Sequence, residues 1–312
     1  MMKNKSFSLY AAFAFLLIIF YSCKKNNDIP IIDREPVILL KSILREGTPL
    51  QANFFYDDNN HLLYLSDNNS DFHITKYDSR FNILEIRDTG YFSGLPPLIT
   101  KHSFQYDTQN RITRIDSYSL TDVYFSDTTK PKSYTTFQYY TDSTIKQEFF
   151  IDADGTYYTG QRYLIKVYTD TAGNVTRKLQ ADDETLSGYP EFSNIYTSKF
   201  NTLKNPFRLL PQAVLEVTPV TNLFSAYSEV ATYSADVWEQ LHQDYQYYDD
   251  SKLSPVLIEQ DASNSVVKSL YGKGYPEKIT QTFQNKITVV NTGETTEDFP
   301  DAEVFDFEFY RR

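Results

Sequence analysis

An all-β fold is predicted: an antiparallel meander of β-hairpins, forming a strongly curled sheet or an open barrel. Three observations point to it. A unit led by tyrosine recurs along the chain, with apolar residues six and nine places after the tyrosine. The composition suits strands, with 26 Tyr and 23 Phe against a single Trp, so that aromatics reach 16% of 312 residues; such side chains favour pleated, half-buried surfaces. Near the C-terminus, Phe305, Phe307 and Phe309 alternate with Asp306 and Glu308. Alternation of that kind places aromatics on one face of a strand and acids on the other, which predicts a last strand from Glu303 to Tyr310.

Residues 1–22 read as a secretory signal peptide. Lys3 and Lys5 precede an unbroken apolar and aromatic run of thirteen residues, Leu9 to Tyr21, and Ser22 follows. A basic start, a short apolar stretch and a small residue make such a leader, whereas a spanning helix needs about 20 residues. No polar face interrupts the run, which argues against a buried core helix. Ser22-Cys23 resembles the end of a bacterial lipobox, whose cysteine is acylated and becomes the mature N-terminus. Phe20 and Tyr21 depart from the Leu and small residue usual in that motif. Several acyl chains on Cys23 would give stable anchoring, at about 0.8 kcal/mol per buried methylene. Cys23 is the only cysteine, so the mature domain is expected to carry no internal disulfide, thiol catalyst or cysteine-based zinc site. Lys24 stands where an Asp often retains lipoproteins at the inner membrane, so the outer membrane is expected. Residues 23–36, polar with Pro30 and Pro36, are expected to form the lipidated cysteine and a flexible tether. Residues 37–312 are expected to form one β domain.

The repeat carries the fold prediction. Tyr106 is followed by Ile112 and Ile115, Tyr56 by Leu62 and Leu65, Tyr77 by Ile83 and Ile86, and Tyr247 by Leu253 and Val256. Tyr139 keeps Ile145 but has Glu148 at the second place, Tyr168 leads to Val175 with one residue inserted, and a weaker copy runs from Tyr271 to Ile279. Each unit reads as strand, turn, strand. Phe54, Phe104, Phe137 and Tyr245 stand two residues before their tyrosines and therefore share a strand face with them. Asp57, Asp78 and Asp107 follow directly, with carboxylates able to accept backbone N–H bonds in a turn. Asn60, Asn110 and Gly173 suit the positive φ of a tight hairpin. Phe81 does not, which predicts a different turn there. Apolar places three apart would face opposite sides of a regular strand, so either both faces are covered or a bulge lies between them. Tyrosine spacings of 21, 29, 33 and 29 residues fit hairpins of unequal length rather than a solenoid of identical rungs.

Residues 180–244 depart from the pattern. Asn205-Pro206-Phe207 lies in a Pro- and Leu-rich stretch that reads as a long connection with a helical turn at most. Ser234 to His242, around Trp238, reads as a short helix.

The unit resembles the YD repeat of RHS-type proteins, of the form Tyr-Asp-x-x-Gly-Arg-Leu, with residues 106–112 and 168–175 the best matches. Together with the lipobox, Asn-Pro-Phe at 205–207 and Gly-Tyr-Pro at 274–276, it is similar to a family of Bacteroidota lipoproteins built from degenerate YD hairpins. That resemblance covers roughly 52–310. It implies a porin-like, curled antiparallel sheet and carries over no functional residues. The regular glycine-rich cage of RHS proteins is not expected, because most copies lack the Gly and Arg.

Charge and motifs narrow the function. The formal net charge of −11 becomes −13 once Lys3 and Lys5 leave with the signal peptide, which disfavours nucleic acid as a partner. His61, His73, His102 and His242 show no metal-ligand spacing. Gly90-Tyr91-Phe92-Ser93-Gly94 is not a nucleophile elbow, and no phosphate-cradling loop occurs. Asp152-Ala153-Asp154-Gly155, flanked by aromatics, reads as a hairpin turn rather than a calcium loop, and Asp57-Asp58 and Asp249-Asp250 read likewise. No cofactor and no metal are expected. The expected function is a non-enzymatic envelope lipoprotein, held at the membrane through Cys23, that binds or scaffolds a polysaccharide or an envelope protein. A glycan-binding protein is the alternative, for which a cluster of coplanar exposed aromatics around Trp238 would speak. A carboxylate-dependent hydrolase would need two carboxyls in one cleft.

Overall fold

The structure, a computed structural model, describes residues 36–47, 51–121, 127–151, 157–182, 192–218, 234–249, 251, 254–271, 274–297 and 301–312. The expected signal peptide, Cys23 and the expected tether up to residue 35 lie outside the described residues, as does the turn expected at 152–155. The β domain is the compact unit Ile38–Arg312. Its first strands are β1 (Ile38–Arg45), β2 (Gln51–Tyr56), β3 (Leu62–Ser66), β4 (Ser70–Tyr77), β5 (Ile83–Gly90) and β6 (Leu98–Tyr106). Then come β7 (Ile112–Ser119), β8 (Ser133–Tyr139), β9 (Ser143–Ile151), β10 (Tyr157–Thr169), β11 (Val175–Asp182) and β12 (Phe192–Lys204). The chain finishes with β13 (Asp236–Asp249), β14 (Ser254–Tyr271), β15 (Tyr275–Val289), β16 (Thr295–Glu297) and β17 (Asp301–Arg311). Strands β1 to β15 pair in chain order, β15 pairs with β17 and β17 returns to β1, every pair antiparallel. The meander thus closes into a 16-stranded barrel, with the short β16 lying against β15.

The Tyr-Asp units mark one end of this barrel, the turn end. Oδ1 of Asp57 accepts the N–H groups of Asn59 and His61, each at 2.8 Å. Asp78 serves Arg80 and Asn82 in the same way, Asp107 serves Gln109 and Arg111, and Asp170 serves Ala172 and Asn174. The fourth place has positive φ at Asn60 (69°), Asn110 (60°) and Gly173 (86°). Phe81 adopts it too, at 62°, with the same Asp78 bonds, so its turn does not differ. Register forces the conformation: Phe81 sits where its neighbours have Asn. The left-handed region costs a bulky residue roughly 1–2 kcal/mol, and Phe81 offsets part of this by stacking on His61 at 4.1 Å and 11°.

A bulge resolves the three-residue spacing. Gln105 faces Arg114 while Tyr106 faces Ile112, leaving Thr113 unpaired. Leu63 and Leu84 are extra residues in the same position. Both apolar places therefore turn inward, and Leu62, Leu65, Ile83, Ile86, Ile112 and Ile115 are all buried. The repeat tyrosines latch neighbouring hairpins together. Tyr106 Oη donates to the Ile83 carbonyl (2.7 Å), Tyr139 Oη to that of Ile112 (2.9 Å), and Tyr77 Oη to that of Leu62. Tyr56 Oη starts the series on Leu40 of β1 at 2.9 Å. In the three later copies the acceptor is the first apolar residue after the preceding turn. Burial pushes the Tyr77 phenol up to about 12, so these hydroxyls remain donors.

Three copies depart from the expected placement. At Tyr168 the inserted Thr169 takes the tyrosine place opposite Val175. Tyr168 consequently faces outward, flanked by the Lys166 and Arg177 cations at 4.7 and 5.7 Å. The β8–β9 hairpin has no bulge, so Ile145 pairs with Gln138 rather than turning inward beside Phe137. Tyr247 marks the opposite, far end, because β13 runs away from the turn end. The stretch 180–244 is corrected more deeply. It contains β12 and the start of β13, and residues 236–242 form a strand instead of a short helix. Trp238, 3% exposed, packs with Ile165, Val167, Val175, Ile195 and Leu241 inside the barrel.

Between β12 and β13 the chain folds inward. A 3-10 turn, Pro206–Leu209, is capped by the Asn205 side chain, which accepts from Phe207 N at 3.0 Å. A short helix α1, Gln212–Val217, follows. Phe207, Leu210, Ala213, Val214 and Leu215 are buried in the main core with Phe54, Phe104, Phe137 and Phe305. Phe207 meets Phe307 edge-on at 6.2 Å. Glu216, its side chain 3% exposed, pairs with Lys146 of β9 at 3.1 Å. The segment plugs the lumen beneath the ring of Tyr56, Tyr77, Tyr106 and Tyr139.

The outer face is wet. Lys41 pairs with Glu308 at 2.8 Å across β1–β17, Lys286 with Glu259 at 2.7 Å across β14–β15, and Lys278 with Asp306 at 3.4 Å across β15–β17. Outward aromatics sit among these charges. Tyr134 stacks on Phe149 at 4.6 Å while the Arg114 guanidinium covers it at 4.1 Å. A lipid-facing barrel shows the reverse pattern, since one Lys or Arg at the bilayer midplane costs about 2–4 kcal/mol.

Two substitutions separate the latch from the plug in urea unfolding. Tyr106→Phe is expected to cost about 1 kcal/mol, the worth of a neutral hydrogen bond. Glu216→Ala is expected to cost about 3–5 kcal/mol by removing one partner of a largely buried ion pair. Equal effects would contradict the plug assignment.

Candidate functional site

With the turn end plugged, the far end of the lumen holds the polar inward-facing groups. One wall belongs to β5–β8. Asp88 faces inward beside Thr100, which pairs in turn with Ser119. His102 Nδ1 lies 2.9 Å from Ser117 Oγ, and Lys132 Nζ reaches Thr100 Oγ1 at 3.3 Å. Burial pushes the Asp88 carboxyl up to about 6, with Asp67 adding to the effect and Lys132 opposing it. Burial, helped by Lys132, pushes His102 down to about 3. Asp88 Oδ1 and His102 Nε2 are buried without a hydrogen-bond partner. Burial keeps His102 neutral near pH 7, and with Asp88, Thr100, Ser117 and Lys132 it forms a polar layer on the inward side of this wall.

Across the ring, β13, β14 and β15 form a second wall. Register aligns Gln243 with Gln260 and Gln260 with Asn285, and below them Tyr245 with Ile258 and Ile258 with Ile287. An amide row thus lies beside an apolar row on one inward face. These six residues line a cavity of about 200 Å3. Gln243 Nε2 donates to Ser193 Oγ at 2.8 Å, and Gln260 Nε2 donates to Asn285 Oδ1. Tyr245 and Tyr247 stack at 5.5 Å and 18°. A smaller void of about 20 Å3 beside Asn205, Trp238 and Asn264 has room for a single water. A shallow surface depression between Arg111 and Asp142 lies at the turn end.

The residues singled out in the sequence are spread out. His61 pairs with Asp57 (3.0 Å), His102 lies in the β5–β8 wall, and His242 sits on the outer face between Asp244 and Asp261. Asp57 is committed to its turn. Trp238 is enclosed and offers no aromatic platform. The amide row is hard to see in sequence because residues 180–244 read as a connection with a short helix at 234–242, whereas β13 runs through 236–249. The signal was present: Gln243-Asp244-Tyr245, Ile258-Glu259-Gln260 and Asn285-Lys286-Ile287 each alternate, placing an amide and an apolar residue on one face and a charge on the other.

No protein family and no curated protein matches the sequence. Among solved structures the chain is similar to a porin-like protein from Bacteroides vulgatus, with TM-score 0.39 and 7% identity over 88% of this chain and 99% of that one. It is similar to a porin-like protein from Bacteroides uniformis, with TM-score 0.35 and 12% identity over 88% and 95%. A chain of a TcdB2-TccC3 structure aligns over 79% of this chain and 14% of its own, with TM-score 0.27 and 12% identity. Likenesses this distant assign no family.

The β5–β8 wall has a pH signature. Asp88 holds a proton in the folded state that the unfolded chain has released above about pH 4, so its contribution to stability is lost as pH rises toward 6. His102 works oppositely: the unfolded chain binds a proton below about 6.5 that the folded state refuses, so stability is lost as pH falls toward 3. The two slopes oppose each other between about pH 4 and 6. Asp88→Asn should therefore gain in Tm relative to the unsubstituted protein as pH is raised through that window. A Tm difference independent of pH would refute the assignment.

Proposed function

We propose that the protein is a lipid-anchored envelope protein of the outer membrane that binds or scaffolds without catalysing a reaction. The observation that carries this reading is the polarity of the barrel. Its outer face bears cross-strand ion pairs such as Lys41–Glu308 and Lys286–Glu259, and its inner face bears Phe54, Phe104, Phe305 and Phe307. A sheet built this way is stable in water, and lipid contact would strand its charges. Attachment to a membrane then falls to the N-terminal cysteine. The turn-end plug supports a role other than a channel. The repeat tyrosines and aspartates, which are the most distinctive residues of the sequence, support it as well, because they are consumed by turns and latches. The partner is a polysaccharide or another envelope component; the acidic chain disfavours nucleic acid.

The anchor is tested by metabolic labelling with a clickable palmitate analogue and by the intact mass of the membrane-extracted chain. The mature protein should begin at Cys23, carry acyl mass and incorporate label, and Cys23→Ala should abolish the label. A mature chain beginning elsewhere, or label that persists in Cys23→Ala, would overturn the reading.

A further inference from the structure

We propose that the cavity on β13–β15 binds one neutral sugar ring. The inference extends the reading of this chain as a binding protein and names the ligand class for one of its walls. Its grounds are the chemistry and size of the lining. Gln243, Tyr245, Ile258, Gln260, Asn285 and Ile287 carry no charge among them. An anion or a zwitterion entering such a cavity would lose its hydration with no counter-charge to replace it. A neutral polyhydroxylated ring loses much less and recovers it through amides.

The lining also has the two faces that a pyranose needs. The amide row supplies one acceptor and one donor on adjacent strands. Gln243 Nε2 is spent on Ser193, which leaves its Oε1 to accept, and Asn285 Oδ1 is spent on Gln260, which leaves its Nδ2 to donate. A sugar hydroxyl donates and accepts at once, so neighbouring hydroxyls match that pair. The second row, Tyr245, Ile258 and Ile287, offers an aromatic ring and two branched side chains to the C–H face of the sugar. The stack on Tyr247 fixes the orientation of the Tyr245 ring. At about 200 Å3 the cavity is smaller than the ~300 Å3 at which drug-sized pockets begin. The site is therefore sized for one ring, free or carried by a longer glycan.

Saturation-transfer NMR on the full-length mature protein in detergent tests this. The probes are glucose, galactose, mannose and N-acetylglucosamine, with glucuronate and glycine as charged controls. At least one neutral sugar should receive saturation on its ring C–H protons at millimolar concentration, and the charged controls should receive none. Gln243→Leu should weaken that sugar at least tenfold while Tm stays within a few degrees. If Gln243→Leu unfolds the protein, the isosteric Asn285→Asp, which replaces the donor with a charged acceptor, should give the same loss. Silence with every neutral sugar, a preference for glucuronate, or full binding in Asn285→Asp would overturn the proposal. Acylation at Cys23 is read by mass and labelling, so the anchor and the sugar site can fail separately.

Discussion

The structure depends on the pairing of β1 with β17. Seven residue pairs, from Ile38–Arg311 to Arg45–Phe305, join the first strand of the domain to the last. Without them the meander would end in two open edges, each a row of unpaired backbone groups. With them the sheet has an inside, and every alternating strand acquires a meaning: Phe305, Phe307 and Phe309 become core, while Glu308 and Lys41 become surface. Closure brings together residues more than 250 positions apart in sequence, which costs loop entropy before it returns contacts. The bulge between Leu40 and Ser42 and the ion pair of Arg45 with Glu303 hold the register there.

A barrel of this strand number is wide, and side chains alone fill smaller ones. Here the 205–218 segment enters the lumen, with Phe207 and Val214 meeting the inward face of the sheet and Glu216 reaching Lys146. The tyrosine latches operate at the same level. Each phenol bonds the backbone of a neighbouring strand, and its ring packs against the core cluster that also holds the plug residues Phe207 and Val214. The far end is built differently. Its inward positions hold Asp88, His102, Gln243, Gln260 and Asn285.

The sequence made legible what is local. Asp57, Asp78 and Asp107 announce their turns because the carboxylate bonds N–H groups two and four residues on. The bulge was legible as one of two options, because Leu62 and Leu65 cannot otherwise share a face. The turn at Phe81 was not, because its φ is imposed by the hairpin register rather than favoured by the residue. Closure was not, because no local pattern states that residue 38 meets residue 311. Strands β12 and β13 escaped because their inward faces mix Gln, Ser and Thr with Ile and Leu, which blurs the alternation. The candidate cavity lies in that blurred region. Polar residues on an inward face make a site and hide a strand at once.

The central claim is that this barrel is apolar inside and wet outside, and thiol labelling measures it directly. Cys23 is the one native cysteine and is acylated on the proposed reading, so a single cysteine introduced at Glu308 or at Phe307 reports one face each. In the native membrane-anchored protein, Glu308→Cys should react with a membrane-impermeant maleimide at the rate of an exposed thiol, and Phe307→Cys should react only after denaturation. Protection of Glu308→Cys by lipid together with rapid labelling of Phe307→Cys would mean a membrane-spanning, water-filled barrel and would contradict the account.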